Sequence, residues 1–371
     1  MRDGIPWVVR APVRRARNAL ALRHALTRQR ARWHAIAATP PRRGEIAVSY
    51  GVERMPSESD VVYGGHVKFS LLNEDLPNAP RDFNVLYLGS SALPLEASRL
   101  VELTRRRGSA FAWNQNGVAY RGWYGDGWQL VNEPRARLMH EADHVFFQSE
   151  FCKVAADRFY GERAGGWEVL YNPVDVRRFV PGDGAARPLT LLLGGNQYQR
   201  YRLEVALETL ALVRRERADA RLLVAGELSF AADARVEQPG VELAGPYTQA
   251  EAPALIQRAD LLLHTKYNDP CPTVVLEAMA SGLPVVYSAS GGTPELVGPD
   301  AGIGIPAPLE WECDHPPAPE ALAAAVLEVA ERLPDRAAAA RERSLRFDSR
   351  AWVQRHHTVF TELIRLEPPV S

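Results

Sequence analysis

The sequence predicts an α/β protein made of two Rossmann-like halves facing each other across a cleft, on three observations. Short apolar runs alternate with helical stretches along most of the 371 residues, and such alternation builds a parallel sheet with helices on both faces. The length exceeds one ordinary core, since a domain holds roughly 100–200 residues. A stretch without periodicity and rich in Pro and Gly, VDVRRFVPGDGAARP (174–188), splits the alternation in two.

The chain opens on a basic extension. Residues 1–43 carry eleven arginines against Asp3 alone, about +10, so the remainder stands at −11 for a net −1. From Val13 to Ile36 this arm is rich in Ala, Leu and Arg, good helix formers, and it stops at Thr39-Pro40-Pro41. A helix of that charge suits an anionic membrane surface. Nucleic acid is the weaker rival, because Trp7 and Trp33 are the only stacking aromatics there. A solvated extension is the plain alternative.

Beyond the prolines, IAVSY (46–50) reads as a strand and YGGHVKFSLL as a glycine turn opening a helix. FNVLYLG (83–89), SAFAW (109–113), HVFFQS (144–149) and WEVLYNP (167–173) are strands, with helices at 93–108 and 149–161. After the linker the strands are LTLLLGG (189–195), RLLVAG (221–226), VELAG (241–245), DLLLHT (260–265) and PVVYS (284–288). Helices fall at 201–216, 251–259 and 273–281, and two more close the chain at 318–332 and 349–365. No run approaches the roughly 18 apolar residues of a membrane span, and no secretory signal opens the chain. Cys152, Cys271 and Cys313 are far apart, without CxxC or Cys/His spacing, which fits a reducing cytosol and predicts neither disulfides nor structural zinc.

The chemistry concentrates in NDPCPTVVLEAMASGLPVVYSASGGTPE (268–295). Asp269 falls in the loop at the carboxyl edge of the sheet, where open α/β sheets bind ligands. Thr273 is placed to cap the next helix, whose first N–H groups and partial positive charge suit phosphate or sugar oxygens. Glu277 lies about one turn inside, within reach of a ribose diol. Gly291 and Gly292 let backbone approach a ligand, with Thr293 as a second cap and Pro294 in the first turn. Two helix tips side by side suit a nucleotide diphosphate; an ordinary well-capped scaffold is the alternative reading. No GxGxxG opens either half, which argues against a dinucleotide-dependent dehydrogenase.

Gly245, Ala259-Asp260, Asp269, Glu277-Ala278-Met279-Ala280, Gly282, Pro284, Gly291-Gly292 and Glu295 stand in the register of a known pattern. The segment Val241–Gly298 resembles the donor-binding core of glycosyltransferase family four, the retaining sugar transferases of GT-B fold. The likeness extends more weakly from Ile46 onward. It implies an acceptor domain at 45–175, a donor domain at 176–348, and a C-terminal helix at 349–371 that returns to the first domain. It also implies a cytoplasmic enzyme, peripheral on the membrane if the arm binds there, with a nucleotide sugar and a glycan or lipid-linked acceptor as partners and no metal or other cofactor.

Residue by residue, the resemblance gives Glu277 to the nucleotide ribose, and Asp269 with the backbone of Cys271, Pro272 and Thr273 to the sugar. Gly64, Gly65 and Gly195 face the donor phosphates, with Arg200 and Arg202 as the cations. Gly226, Glu227 and Tyr247 lie near the base. There are departures. The first acid is Asp rather than Glu, Asn196 stands at the usual Arg, and Tyr201 at the usual Lys. Asn114, Gln115, Asn116 and Gly117 replace a histidine loop; such amides can bond an acceptor hydroxyl but cannot move its proton. A sugar-nucleotide-binding or assembly protein without catalysis is the reading those departures leave open.

Overall fold

The computed structural model describes residues 27–56, 64–182, 187–230 and 234–365, and these make two parallel sheets. The first is β1 (Val48–Ser49), β2 (Val85–Gly89), β3 (Ala110–Gln115), β4 (His144–Phe147) and β5 (Gly166–Val169), side by side in chain order. Successive strand residues point to opposite faces. Leu86, Leu88, Phe111, Trp113, Val145 and Phe147 therefore pack against α3 (Ala97–Arg106), α5 (Trp128–Glu141) and α6 (Glu150–Tyr160). Val85, Tyr87, Ala112 and Phe146 pack on the other face against α2 (Gly64–Asp75) and the last helix, α13 (Ser349–Arg365).

The basic arm is only partly covered, as residues 1–26 lie outside the described residues. The helix at 27–38, α1, is not a free amphipathic element. Trp33 and Ile36 are buried in the first-domain core, and Arg32 donates to the Gly51 carbonyl at 2.7 Å and pairs with Glu53 at 3.2 Å. Two residues of the expected apolar face, Trp33 and Ile36, are thus taken up by the core. Among the described residues no helix is long and apolar enough to cross a membrane.

The second sheet contains β6 (Thr190–Leu193), β7 (Arg221–Ala225), β8 (Val241–Gly245), β9 (Leu261–His264), β10 (Val285–Ala289) and β11 (Gly302–Pro306) in the order β11-β10-β9-β6-β7-β8. That order reverses direction between β6 and β9, the crevice where doubly wound sheets take their ligands. On one face lie α7 (Arg200–Val213) and α11 (Pro319–Glu331). On the other lie α8 (Ala252–Ile256), α9 (Thr273–Ala280), α10 (Thr293–Val297) and α12 (Leu333–Ser344).

The chain crosses between domains twice at one point. Val174 N–H donates to the Phe347 carbonyl at 2.9 Å, and Ser349 N–H returns a bond to Val174 at 3.0 Å. Beyond this crossing, α13 buries Trp352, His356, Val359 and Phe360 on the first domain. Phe360 sits edge-on to Tyr87 at 5.4 Å and to Phe146 at 6.4 Å. Truncating such a side chain leaves a cavity as well as lost transfer energy. Phe360→Ala should lower unfolding free energy by about 3–5 kcal/mol, read from the urea midpoint, whereas Glu362→Ala on the exposed side should shift it little.

Candidate functional site

Between the domains lies a cleft of about 510 Å³. The first domain contributes Ser90, Ser91, Asn116, Gly117, Tyr120 and Trp123; the second contributes Tyr198, Lys266, Trp311 and the run Asn268–Thr273. That run leaves β9 at the sheet reversal, so topology alone brings Asp269 beside the loop that follows β6.

Asp269 is a buried carboxylate with cations around it. Lys266 Nζ lies 3.1 Å and His264 Nε2 3.3 Å from Oδ2. Burial opposes ionisation here, but Lys266, His264 and Arg202 outweigh it and hold the carboxyl well below its usual range. Burial conversely lowers the pKa of His264, which favours its neutral form. Lys266 and Arg202 against Asp269 leave one positive charge in surplus.

Glu277, eight residues on, is treated the opposite way. It is 6% exposed, and among the described residues its carboxylate has no hydrogen-bond partner. Burial raises its pKa to about 7, against an opposing pull from Arg178. An acid so placed is a poor scaffold element and a good receptor for hydroxyl donors.

The donor-side loops are pinned by backbone contact. Gly226 has φ +112°, and a Cβ there would stand 2.5 Å from the Gly195 carbonyl oxygen. Asn196 joins these loops: its Oδ1 accepts from Glu227 N–H at 2.9 Å, and its Nδ2 donates to the Tyr198 hydroxyl at 3.2 Å. A Cβ on Gly292 would fall 2.0 Å from the Pro270 carbonyl oxygen, and Gly292 N–H donates to the Asp269 carbonyl at 2.8 Å. The Gly291-Gly292 pair therefore admits the close approach of the Asp269 loop.

Other expectations are corrected. Thr273 is the first residue of α9, with Pro272 at the N-cap and no side-chain cap bond, because proline takes the extended capping conformation. Thr293 likewise lies inside α10, after Gly292. The first N–H groups of α9 are thus left without a side-chain cap. The two arginines separate: Arg202 is 3% exposed and donates through Nη1 to the Asn196 carbonyl at 2.8 Å. Arg200 is exposed, its guanidinium 5.1 Å over Phe230, and it is not among the residues lining the cleft. Tyr201 accepts from Tyr267 N–H at 3.0 Å. Tyr247 packs half-buried on the second-domain core.

Of the three first-domain amides only Asn116 lines the cleft. Gln115 is spent internally, accepting from Trp113 Nε1 at 2.8 Å and donating to Asn116 and Gly117 carbonyls. Asn114 is buried in a network that the sequence did not reveal. Its Oδ1 accepts from Lys68 and from Gln148 at 2.8 Å, and its Nδ2 donates to the Tyr87 hydroxyl at 3.0 Å. Tyr87 pairs with His356 Nε2 at 2.9 Å, and burial holds that imidazole neutral, down to about 3. Lys68 is 4% exposed, and its pKa is lowered to about 7 by burial. Gly64 and Gly65 begin α2, one turn before it; the segment preceding them lies outside the described residues.

Several contacts join the domains around the Asp269 loop. The Ser149 hydroxyl donates to the Pro270 carbonyl at 2.7 Å, and Asn172 Nδ2 to the Cys271 carbonyl at 2.8 Å. Glu295 accepts from Glu150 and Phe151 N–H at 2.8 and 2.9 Å, capping α6 from the other domain. The missed Lys266 had a signal, a cation just past the carboxyl end of a strand. Lys68 had one too, a lysine between Val67 and Phe69 on a buried helix face.

Residues 187–332 match the family described as Glycosyl transferases group 1. A D-inositol 3-phosphate glycosyltransferase of Segniliparus rotundus is 27% identical over 208 residues, covering 50% of this chain and 46% of that protein. The chain thus spans about half the length of that curated relative. Among solved structures, Anabaena HepE in complex with UDP and glucose superposes with a TM-score of 0.59 at 18% identity, over 80% of this chain and 81% of its own. Sucrose-phosphate synthase from Thermosynechococcus elongatus gives 0.58 at 18%, over 80% and 76%. The fold is GT-B: two Rossmann-like domains facing across a cleft, with a C-terminal helix crossing back to the first.

Glu277 makes stability depend on pH in a definite direction. Its folded pKa of about 7 exceeds the usual 4.5, so between those values the folded state binds more protons than the unfolded. Stability from this group is full at low pH and is lost as pH rises towards 7. Glu277→Gln should flatten that loss and be more stable than wild type at pH 8, by on the order of 1–3 kcal/mol in urea denaturation. An unchanged pH profile would contradict the orphan carboxylate.

Proposed function

We propose that the protein is a retaining glycosyltransferase that moves a sugar from a nucleotide diphosphate sugar to an acceptor hydroxyl, in the synthesis of a glycan or glycolipid. One observation carries this reading above the others. The loop at the sheet reversal puts a charge-compensated acid, Asp269, on the wall of a cleft with surplus positive charge, and an unpartnered one, Glu277, eight residues on in α9, behind that wall and outside the cleft lining. The match to the group 1 family over residues 187–332 supports it.

In this mechanism the ribose hydroxyls donate to Glu277, and the ionised Asp269 accepts from hydroxyls of the transferred sugar. The diphosphate lies towards Lys266 and the uncapped first turn of α9. As the anomeric C–O bond breaks, negative charge grows on the departing phosphate, where preorganised cations and N–H groups act most strongly. The acceptor oxygen forms the new bond from the same face, and its proton passes to the leaving phosphate oxygen. Asn116 orients the acceptor by hydrogen bonding. Lys266 and Arg202 supply the positive charge that a resident metal supplies in other transferases. Arg200 stands apart from this work.

Lys266→Ala and Arg202→Ala should each reduce kcat by about 10²–10³-fold, while Arg200→Ala should stay within a few-fold. The assay is product formation over a panel of nucleotide sugars; absence of product with every donor, in protein that binds nucleotide, would favour a binding protein instead. Affinity for the intact donor, which does not titrate near neutrality, should also tighten as pH rises through about 7, because hydroxyls bond best to ionised Glu277. Glu277→Gln should abolish that slope in calorimetry.

A further inference from the structure

Between β11 and α11 the chain forms a strap from the second domain to the first. The Tyr267 hydroxyl donates to the Pro308 carbonyl at 2.6 Å and accepts from Glu310 N–H at 2.9 Å. Asn268 Nδ2 donates to the Glu310 carbonyl at 2.9 Å. Further on, Gly122 N–H donates to the Trp311 carbonyl at 2.8 Å. The Trp311 ring, 6% exposed, stacks on Phe151 at 5.3 Å and stands edge-on to Tyr120 at 5.0 Å. Of the strap residues, only Trp311 lines the cleft.

We propose that Glu310, Cys313 and His315 of this strap bind a single zinc-class divalent ion, with water completing a tetrahedral shell. The ligand atoms of the three side chains all lie within 4.8 Å of one another. Cys313 Sγ is 3.5 Å from His315 Nε2, and Glu310 Oε2 is 3.9 Å from the same nitrogen. A tetrahedral ion with bonds of about 2.3 Å to sulfur and 2.0–2.1 Å to nitrogen and oxygen holds S and N about 3.5 Å apart and N and O about 3.3 Å apart. The sulfur–nitrogen edge is already in place; the carboxylate needs to close by roughly half an ångström on His315, and by up to about 1.3 Å on Cys313.

That carboxylate is prepared for the role. Its Oε1 accepts from Trp311 and Glu312 N–H at 3.1 and 3.0 Å, which leaves Oε2 turned to His315. Thiolate, imidazole and carboxylate together select zinc or cobalt over magnesium or calcium, which prefer all-oxygen sites. The sequence reading found neither CxxC nor Cys/His spacing and predicted no structural zinc, passing over Cys313-Asp314-His315. Bound there, the ion fixes the strap just beyond Trp311 and so reinforces the seat of that ring on the first domain, apart from the sugar chemistry.

The alternative is a simple thiol–imidazole contact, and Co²⁺ separates the two. Added to chelator-treated full-length protein, Co²⁺ should give an equimolar thiolate-to-metal charge-transfer band in the near ultraviolet with tetrahedral visible absorption, and Zn²⁺ should displace it. Cys152 and Cys271 are buried and Cys313 is exposed, so the band reports Cys313. Cys313→Ser should lose the band, and His315→Ala should bind at least about tenfold more weakly. Zn²⁺ should raise the melting temperature of wild type but not of Cys313→Ser, both melting alike without metal. A band that persists in Cys313→Ser, or no stoichiometric binding by folded wild type, overturns the site.

Discussion

A carboxylate taken out of water has to be compensated, and in this protein Asp269 sets that constraint. Burial alone would protonate it; Lys266, His264 and Arg202 reverse the outcome. Holding those groups in reach fixes much else. His264 must end β9 and Lys266 must follow two residues later. Arg202 must enter the core from α7, where it ties to Asn196 and hence to the loop after β7. Asn268, with φ +48°, lets the chain turn so that Asp269 faces the cations.

The same loop is where the two domains meet. Its carbonyls at Pro270 and Cys271 accept from Ser149 and Asn172 of the first domain. Gly292 packs beneath it, and three residues later Glu295 caps α6 across the boundary. Asn172 also donates to Gln148, which donates to Asn114, which donates to Tyr87 against His356 of α13. A continuous chain of amides therefore links the returning helix to the backbone of the Asp269 loop. Every amide in it has its orientation dictated by its neighbours, so the chain has little freedom to change one partner at a time.

The sequence made most strands and helices legible because their apolar runs are short and bounded, but it missed β11, whose alternating Gly and Pro leave only two apolar side chains in GIGIP. It did not show α5, where Pro134 interrupts the pattern, or α12, whose Ala and Arg content offers little apolar periodicity. Asp269 and Asn116 follow strand ends, which is why the sequence could put them at the sheet edge, where both line the cleft; Glu277 was placed by its spacing inside α9 and lies buried there, outside the cleft lining. Arg200 and Arg202 were not separable: two positions apart on a helix differ by about 200° in direction, and only packing decides which enters the core. Lys68, Gln148 and Asn172 were invisible because their partners lie far away in the chain and come together only through the sheet. Trp311 and the strap were missed because an irregular loop has no period to read.

Asp269 and Glu277 illustrate how environment divides two like groups. They lie on consecutive elements, at the strand end and inside the helix, and both are buried. Cations stand beside the first, so its charge exists before any ligand arrives and needs no proton to leave. Around the second, burial is nearly uncompensated, so its charge becomes favourable only when donors approach it. A ligand that brings hydroxyls to Glu277 supplies the hydration that folding removed. As scaffold such an acid is a liability that glutamine or leucine would remove, which is what the proposed ribose contact would offset.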